Sequence, residues 1–273
     1  MVKTGIILTG STGYLGSKLI RRLKSNEVLT VRRNSISGRE IVFYDLLGNL
    51  IEKKQIKFDE YTVIHLATFF SKDNTQKEII NSSNIDFGIN LLENTKKFNI
   101  KKIIYTNTMF NFYKETNIRN LEYTKSKMAF SETLKEFTEA NKIKLDQVYI
   151  DNTFGGLDAR KKIIPLIVES IKNRTGNPIK EKERFINLIY FEDVITRIIK
   201  SINTEITGDS CFVNNKSVNI SSIYEYFESV IINNNFEKNL LYGENEYMKN
   251  SPQINHHEVN LSRIDKYLLK LFK

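Results

Sequence analysis

The chain has 273 residues, 40% of them hydrophobic and 27% charged, enough to bury a sizeable core as one large domain or a large one with a smaller appendage. No run approaches the roughly 20 apolar residues of a membrane span, and the single cysteine, Cys211, excludes an intramolecular disulfide and the multi-cysteine zinc patterns. The net charge of +9 comes from lysines scattered in pairs such as Lys53-Lys54 and Lys161-Lys162, so neither a nucleic-acid nor a membrane surface is expected, while a mild positive field would favour an anionic substrate.

Met1-Val2-Lys3-Thr4 leads straight into a strand and leaves no room for a signal peptide, so a cytoplasmic location is expected. Gly5 to Gly10 reads as a short apolar strand that Ser11-Thr12-Gly13-Tyr14-Leu15-Gly16 turns into a helix. The free backbone N–H groups and partial positive charge of a glycine-lined helix start can accept a dinucleotide pyrophosphate. Gly10 would permit the tight turn, Gly13 the approach of phosphates, and Gly16 the packing of helix on strand. Residues 14 to 25 carry Leu15, Leu19, Ile20 and Leu23 on one helical face, and 28 to 31 form the next strand. At its end stand Arg32 and Arg33 where NAD-binding folds usually place an acidic residue for the ribose 2′-OH. Guanidinium groups suit a 2′-phosphate, which points to NADP(H).

Short strands follow at 41–43 and 62–67, then a long helix from about Gln76 to Phe98, a strand at 103–106 and a helix at 121–141. A strand at 145–150 completes an alternation that predicts an α/β fold with a Rossmann-type, doubly wound parallel sheet. Residues 1–155 would form the dinucleotide-binding domain. Residues 156–273 would form a smaller C-terminal substrate-binding part, free to cross back to the sheet. There we expect helices at 163–173, 191–202, from about Ser221 to Ile232, and at 261–272, with strands at 185–190 and 210–213.

Tyr123 and Lys127 form a Tyr-x-x-x-Lys pair at the start of a predicted helix, and the i, i+4 spacing puts them on one face. A nearby ammonium would favour the phenolate and lower the tyrosine pKa, making Tyr123 a proton donor or acceptor near neutral pH. His65 reads as a packing or turn residue, and His256-His257 as a solvated loop. No metal site is expected.

The order of these motifs resembles the extended short-chain dehydrogenase/reductases, the nucleotide-sugar epimerase/dehydratase group. The resemblance runs through the glycine turn, Asp45-Leu46, His65-Leu66-Ala67-Thr68, Asn84, Thr106-Asn107-Thr108, Tyr123/Lys127, Asn152 and the segment around Arg184. It implies that Asp45 and Leu46 approach the adenine and that Leu66, Ala67, Thr68 and Thr106 line the cofactor pocket. It also implies that Thr108 holds the substrate oxygen, that Lys127 binds the nicotinamide ribose, and that Asn107, Asn152 and Arg184 contact substrate. Dimerisation through the helices at 76–98 and 121–141 is the family habit, so a homodimer is implied.

Departures from the family pattern narrow the reaction. Met109-Phe110 follow Thr108 where the 4,6-dehydratases carry Asp-Glu, which argues against dehydration. The stretch from Thr106 to Phe110 and the compact loop to Tyr123 are similar to the CDP-abequose synthase type of NADPH-dependent 4-ketoreductase, acting on CDP-linked deoxysugars. That resemblance implies reduction of the 4-keto group of a nucleotide-linked deoxysugar for a cell-surface polysaccharide precursor such as O-antigen. A 4-epimerase with tightly bound NAD and a non-catalytic NADP(H) sensor remain as alternatives.

Overall fold

The structure is a computed structural model, and it describes residues 3–24, 28–33, 41–44, 58–114, 116–119, 121–156, 158, 160, 162–232, 239–244 and 255–259. The chain divides into two compact units, 1–149 with 195–210, and 150–194 with 211–273.

In the first unit, β1 (Thr4–Thr9) is followed by a short α1 (Gly16–Leu19) whose 3-10 extension ends at Arg22. The helix is shorter than the expected 14–25, because Leu23 is already extended as the chain turns back toward β2 (Val28–Arg33). Next come β3 (Ile41–Tyr44), β4 (Glu60–His65), α2 (Lys77–Asn81), a π-helical turn at Ser82–Asp86 and α3 (Phe87–Thr95). These three helical pieces take the place of the single helix expected over 76–98. The unit continues with β5 (Ile100–Thr108), α4 (Thr116–Arg119), α5 (Glu122–Ala140) and β6 (Lys144–Ile150).

The strand order β6-β5-β4-β1-β2-β3 is that of a Rossmann sheet. β1 pairs in parallel with both β2 and β4, and β4 with β5. The edge strand β3 departs from this by pairing antiparallel with β2, Arg33 facing Ile41. Only residues 34–40 separate the two strands, and a parallel connection needs a dozen or more. Parallel strands covered on both faces are apolar throughout, and β1, β4 and β5 are buried almost end to end. Ile7, Val63, Ile103 and Tyr105 pack with Leu91, Phe130 and Leu134 of α3 and α5 in one core.

The second unit holds β7 (Asn152–Phe154), α6 (Ile163–Lys172), β8 (Phe185–Ile186) and β9 (Leu188–Tyr190). α7 (Phe191–Ile202) and β10 (Gly208–Asn214) carry the chain through residues 195–210 of the first unit. β11 (Lys216–Asn219), α8 (Ile220–Ile232), β12 (Tyr242–Glu244) and β13 (Asn255–Val259) follow. Its own core joins Phe154, Ile167, Ile186, Val218, Ile223 and Phe227. Asn219 starts α8 by accepting from Ser222 N at 3.0 Å, the cap expected of a polar residue there. His256 and His257 fall in β13 rather than in a loop. The helix expected over 261–272 lies outside the described residues.

Within the first unit, residues 195–210 are tied down by a buried ion pair. Arg197 donates through both Nη atoms, each at 2.9 Å, to the two carboxylate oxygens of Asp146 on β6. Buried Lys102 donates to the carbonyls of Ser201 and Thr204 at 2.6 and 3.0 Å, satisfying acceptors that the end of α7 leaves open.

Candidate active site

Open α/β sheets bind ligands at the carboxyl ends of their strands, where the strand order reverses. Here that point lies between β1 and β4. Gly10 leaves β1 with φ +69°, a left-handed conformation that favours glycine, and a Cβ there would come within 2.7 Å of Ala67 N. A Cβ on Gly16 would lie 2.0 Å from the Gly10 carbonyl oxygen. The turn is closed by Gly13 N donating to Gly10 O at 2.9 Å. Thr12 and Gly13 are exposed and Tyr14 and Leu15 half-buried, so this cradle is open to a ligand.

A short network ties the cradle to β4. Thr9 Oγ1 accepts from Leu66 N at 3.2 Å and Ala67 N at 3.1 Å, and meets His65 Nδ1 at 2.8 Å. With both oxygen lone pairs taken, the Thr9 proton must go to Nδ1, so His65 is neutral and protonated on Nε2. Burial pushes its pKa down to about 3, with a smaller contribution from the Lys127 charge. The imidazole stacks on Tyr105 of β5, ring centroids 5.5 Å apart. On that same ring sits the Lys127 ammonium, 4.1 Å from its centroid, donating to Thr106 O at 2.8 Å. The line Thr9, His65, Tyr105, Lys127 thus joins the glycine turn to the predicted Tyr/Lys pair across three adjacent strands.

Tyr123 and Lys127 stand one turn apart on α5. The side chains of Thr108, at the end of β5, and Thr68, just beyond β4, lie near enough to the Tyr123 hydroxyl to lower its pKa, against the larger effect of burial. Its ring packs edge-on against Phe70 at 4.9 Å and lies 6.2 Å from Phe110. Part of the ring reaches solvent, yet enough protein surrounds the hydroxyl to push its pKa up to about 12. This corrects the expectation that Lys127 lowers it. Burial is the largest influence on both groups, and it pushes Lys127 itself down to about 7, so the ammonium is partly neutralised near pH 7.

The other expected site residues divide by unit. Thr106 and Asn107 are buried beside Thr108 at the end of β5, with Asn107 Oδ1 accepting from Thr108 N at 2.8 Å. The buried Asn107 Nδ2 has no hydrogen-bond partner among the described residues. Arg32 and Arg33 end β2, as expected. Asp45 and Leu46 lie outside the described residues. In the second unit, Asn152 opens β7 and donates to Asp151 Oδ1 at 2.7 Å and Asn187 O at 3.3 Å. Arg184 pairs with Glu181 at 3.0 Å. Sequence reasoning missed the aromatic wall of Phe70 and Phe110 and the placement of Thr68 at Tyr123. No local signal carries either, since Thr68 meets Tyr123 only because β4 and β5 are neighbours.

Residues 6–220 match the sequence pattern of the NAD dependent epimerase/dehydratase family, and the chain belongs to that family. The individual similarities are more distant. CDP-abequose synthase of Salmonella muenchen is 22% identical over 239 residues, 82% of this chain and 80% of that one. Among solved structures, TunA, an NAD dependent NDP-hexosamine 5,6-dehydratase involved in tunicamycin biosynthesis, aligns over 99% of this chain and 97% of its own with TM-score 0.73 and 16% identity. RMD from Pseudomonas aeruginosa, complexed with NADPH, aligns over 97% and 98% with TM-score 0.65 and 14% identity. At these identities the structural likeness speaks for the fold, which is the Rossmann sheet described above.

The residues present fit a nicotinamide dinucleotide. A Cβ has no room at Gly10 or Gly16, Thr12 and Gly13 stand exposed where a pyrophosphate would approach, and Lys127 holds a buried amine with donors beyond the one given to Thr106.

Proposed function

We propose that the chain is an NADP(H)-dependent oxidoreductase that reduces the 4-keto group of a nucleotide-linked deoxysugar, CDP-linked by analogy with the CDP-abequose synthases, in the making of a cell-surface polysaccharide precursor. The observation that carries this reading is the placement of Tyr123 beside Thr108, at the carboxyl end of β5, and one helical turn from Lys127.

When bound, the reduced nicotinamide supplies a hydride to the C4 carbonyl carbon. Thr108 donates a hydrogen bond to the carbonyl oxygen and Tyr123 gives it a proton as negative charge develops there. A tyrosine with its pKa raised keeps that proton up to alkaline pH, which suits a donor. Lys127 holds the ribose hydroxyls. Gly10, Thr12, Gly13, Tyr14, Leu15 and Gly16 hold the pyrophosphate region, with Leu66, Ala67, Thr68 and Thr106 along the pocket wall. Arg32 and Arg33 select the 2′-phosphate, and Asp45 and Leu46 serve the adenine. Asn107, Asn152 and Arg184 contact the substrate, and residues 156–273 contribute most of its binding surface. The protein works in the cytoplasm as a homodimer.

The test is NADPH oxidation with CDP-, dTDP-, GDP- and UDP-linked 4-keto sugars, with Tyr123→Phe as the control. Oxidation that the variant abolishes supports the reading. Interconversion of 4-epimers without net oxidation would replace it with the epimerase, and cofactor binding with no turnover would replace it with a sensor.

A further inference from the structure

We propose that Phe70 and Phe110 form the subsite for the C6 methyl group of the sugar and so select 6-deoxy over 6-hydroxy substrates. The inference rests on the reading that Tyr123 and Thr108 hold the C4 oxygen. Both phenylalanines stand at the Tyr123 side chain. The Phe70 ring lies edge-on to the Tyr123 ring, centroids 4.9 Å apart, and Phe110 is 6.2 Å from it. The two phenylalanine rings are 6.3 Å from each other, so the three rings form one cluster. Phe110 is also tied to Thr108, whose Oγ1 accepts from the Phe110 N–H at 3.2 Å. A carbonyl held by Tyr123 and Thr108 therefore has hydrocarbon beside it.

The wall is braced from behind. Phe110 packs on buried Tyr113, ring centroids 5.0 Å apart. On the other side, Asn84 grips the residue before Phe70, its Oδ1 accepting from Phe69 N at 2.7 Å and its Nδ2 donating to Phe69 O at 3.0 Å. Yet Phe70, Phe110 and Tyr123 are all only half-buried, so each keeps apolar surface that a ligand can cover.

The polar groups around the wall decide what covers it. Phe69 N and O are taken by Asn84, and Phe110 N and O by Thr108 Oγ1 and Tyr113 N. Thr68 Oγ1 gives its proton to Asn84 Oδ1 at 3.0 Å, which leaves it a lone pair and no donor. The Asn111 side-chain oxygen is buried out of reach. A hydroxyl lodged against the two rings would lose its water and gain little in return, whereas a methyl group gains by leaving water. Two parts of a 4-keto sugar lie next to the carbonyl. C3 belongs to the sugar ring, while C6 projects from C5 as a methyl or a hydroxymethyl group. A recess between side-chain rings takes the group that projects, and its lack of donors selects the methyl.

The test uses matched 4-hydroxy sugars, the stable partners of the reaction, that differ only in a methyl or hydroxymethyl group at C6. Each is linked to CDP, dTDP, GDP and UDP, with a 3-deoxy, 6-hydroxy sugar as control. Two quantities are read on the full chain, Kd by calorimetry with NADPH bound and kcat/KM for oxidation by NADP+. Wild type should favour the methyl sugar about 100-fold in both, and the 3-deoxy control should gain nothing. Phe110→Gln offers an amide to the hydroxymethyl group and should cut the preference to about tenfold or less, while Phe70→Leu, still apolar, should keep most of it. NADPH affinity near wild type shows that a variant is folded, and Phe70→Gln replaces Phe110→Gln if the latter is not. Equal handling of the two sugars by wild type, or a preference that follows C3, overturns the subsite. So does a Phe110→Gln protein that loses NADPH affinity but keeps the C6 preference, since the wall would then serve the cofactor. Methyl-selective binding without turnover would refute the proposed reduction and leave the subsite standing, turnover without selectivity would do the reverse, and no binding of any sugar would refute both.

Discussion

His65 ties the stability of the first unit to pH in a range where carboxylates are still ionised. Its pKa is pushed down to about 3 in the folded chain, against about 6.5 when unfolded. A depressed base binds its proton more readily in the unfolded chain, so its contribution to stability is fully present above pH 6.5 and is lost as pH falls toward 3. One unit of difference corresponds to about 1.4 kcal/mol. The loss is therefore close to 1 kcal/mol at pH 6 and about 2 kcal/mol at pH 5. Over that range the unfolded chain takes up the proton while the folded ring stays neutral, because protonating Nδ1 would take away the acceptor that Thr9 uses at 2.8 Å and put a charge beside Lys127. Lys127, lowered to about 7, adds its own loss of stability as pH falls from about 10.5 to 7, and that loss is common to the two proteins compared. Urea unfolding of the full chain from pH 8 to 5, compared with His65→Asn, measures the effect. Asn keeps an acceptor for Thr9 but cannot titrate, so it should lose about 2 kcal/mol less than wild type over that range, whatever its starting stability. Parallel losses in the two proteins, or a His65 imidazole that titrates near 6.5 by NMR, would refute the reasoning.

Gly16→Ala places a Cβ 2.0 Å from the Gly10 carbonyl oxygen, so the turn must open. NADPH affinity should fall at least about tenfold, read by fluorescence titration, with a stability loss on the order of 1–3 kcal/mol. Arg197→Met leaves the Asp146 carboxylate buried without its two-pronged partner and should cost about 3–5 kcal/mol in denaturant unfolding. The raised pKa of Tyr123 predicts a direction-dependent pH profile. Reduction should show no loss from Tyr123 ionisation up to about pH 10, whereas the reverse oxidation, which needs the phenolate, should rise about tenfold per pH unit over the same range.

The Rossmann unit was legible because its physical constraints are local. A strand buried on both faces must be apolar along its length, and a tight turn onto a helix needs glycine where a Cβ has no space, as at Gly10 and Gly16. The i, i+4 spacing of Tyr123 and Lys127 likewise fixes their shared face from sequence alone. What sequence could not supply depends on strands that are distant in the chain and adjacent in space. His65 stacks on Tyr105, and Thr68 reaches Tyr123, because β4 and β5 pair with His65 opposite Tyr105. The reversed edge strand β3 could have been foreseen, since residues 34–40 are too few for a crossover.

The same nonlocal packing explains why the Tyr/Lys pair does not behave as two neighbouring charges would. Proximity alone predicts an ammonium stabilising a phenolate, with both groups ionised. Burial works against each charged form separately, raising Tyr123 and lowering Lys127, so the neutral forms gain. Neutral tyrosine is an acid waiting for an acceptor, and in the proposed reaction a developing alkoxide at C4 would be that acceptor. An epimerase must first remove a proton from the substrate hydroxyl, which asks for the phenolate that this environment opposes. The chain's own electrostatics therefore favour delivery of a proton over its removal, the direction that the proposed reduction requires.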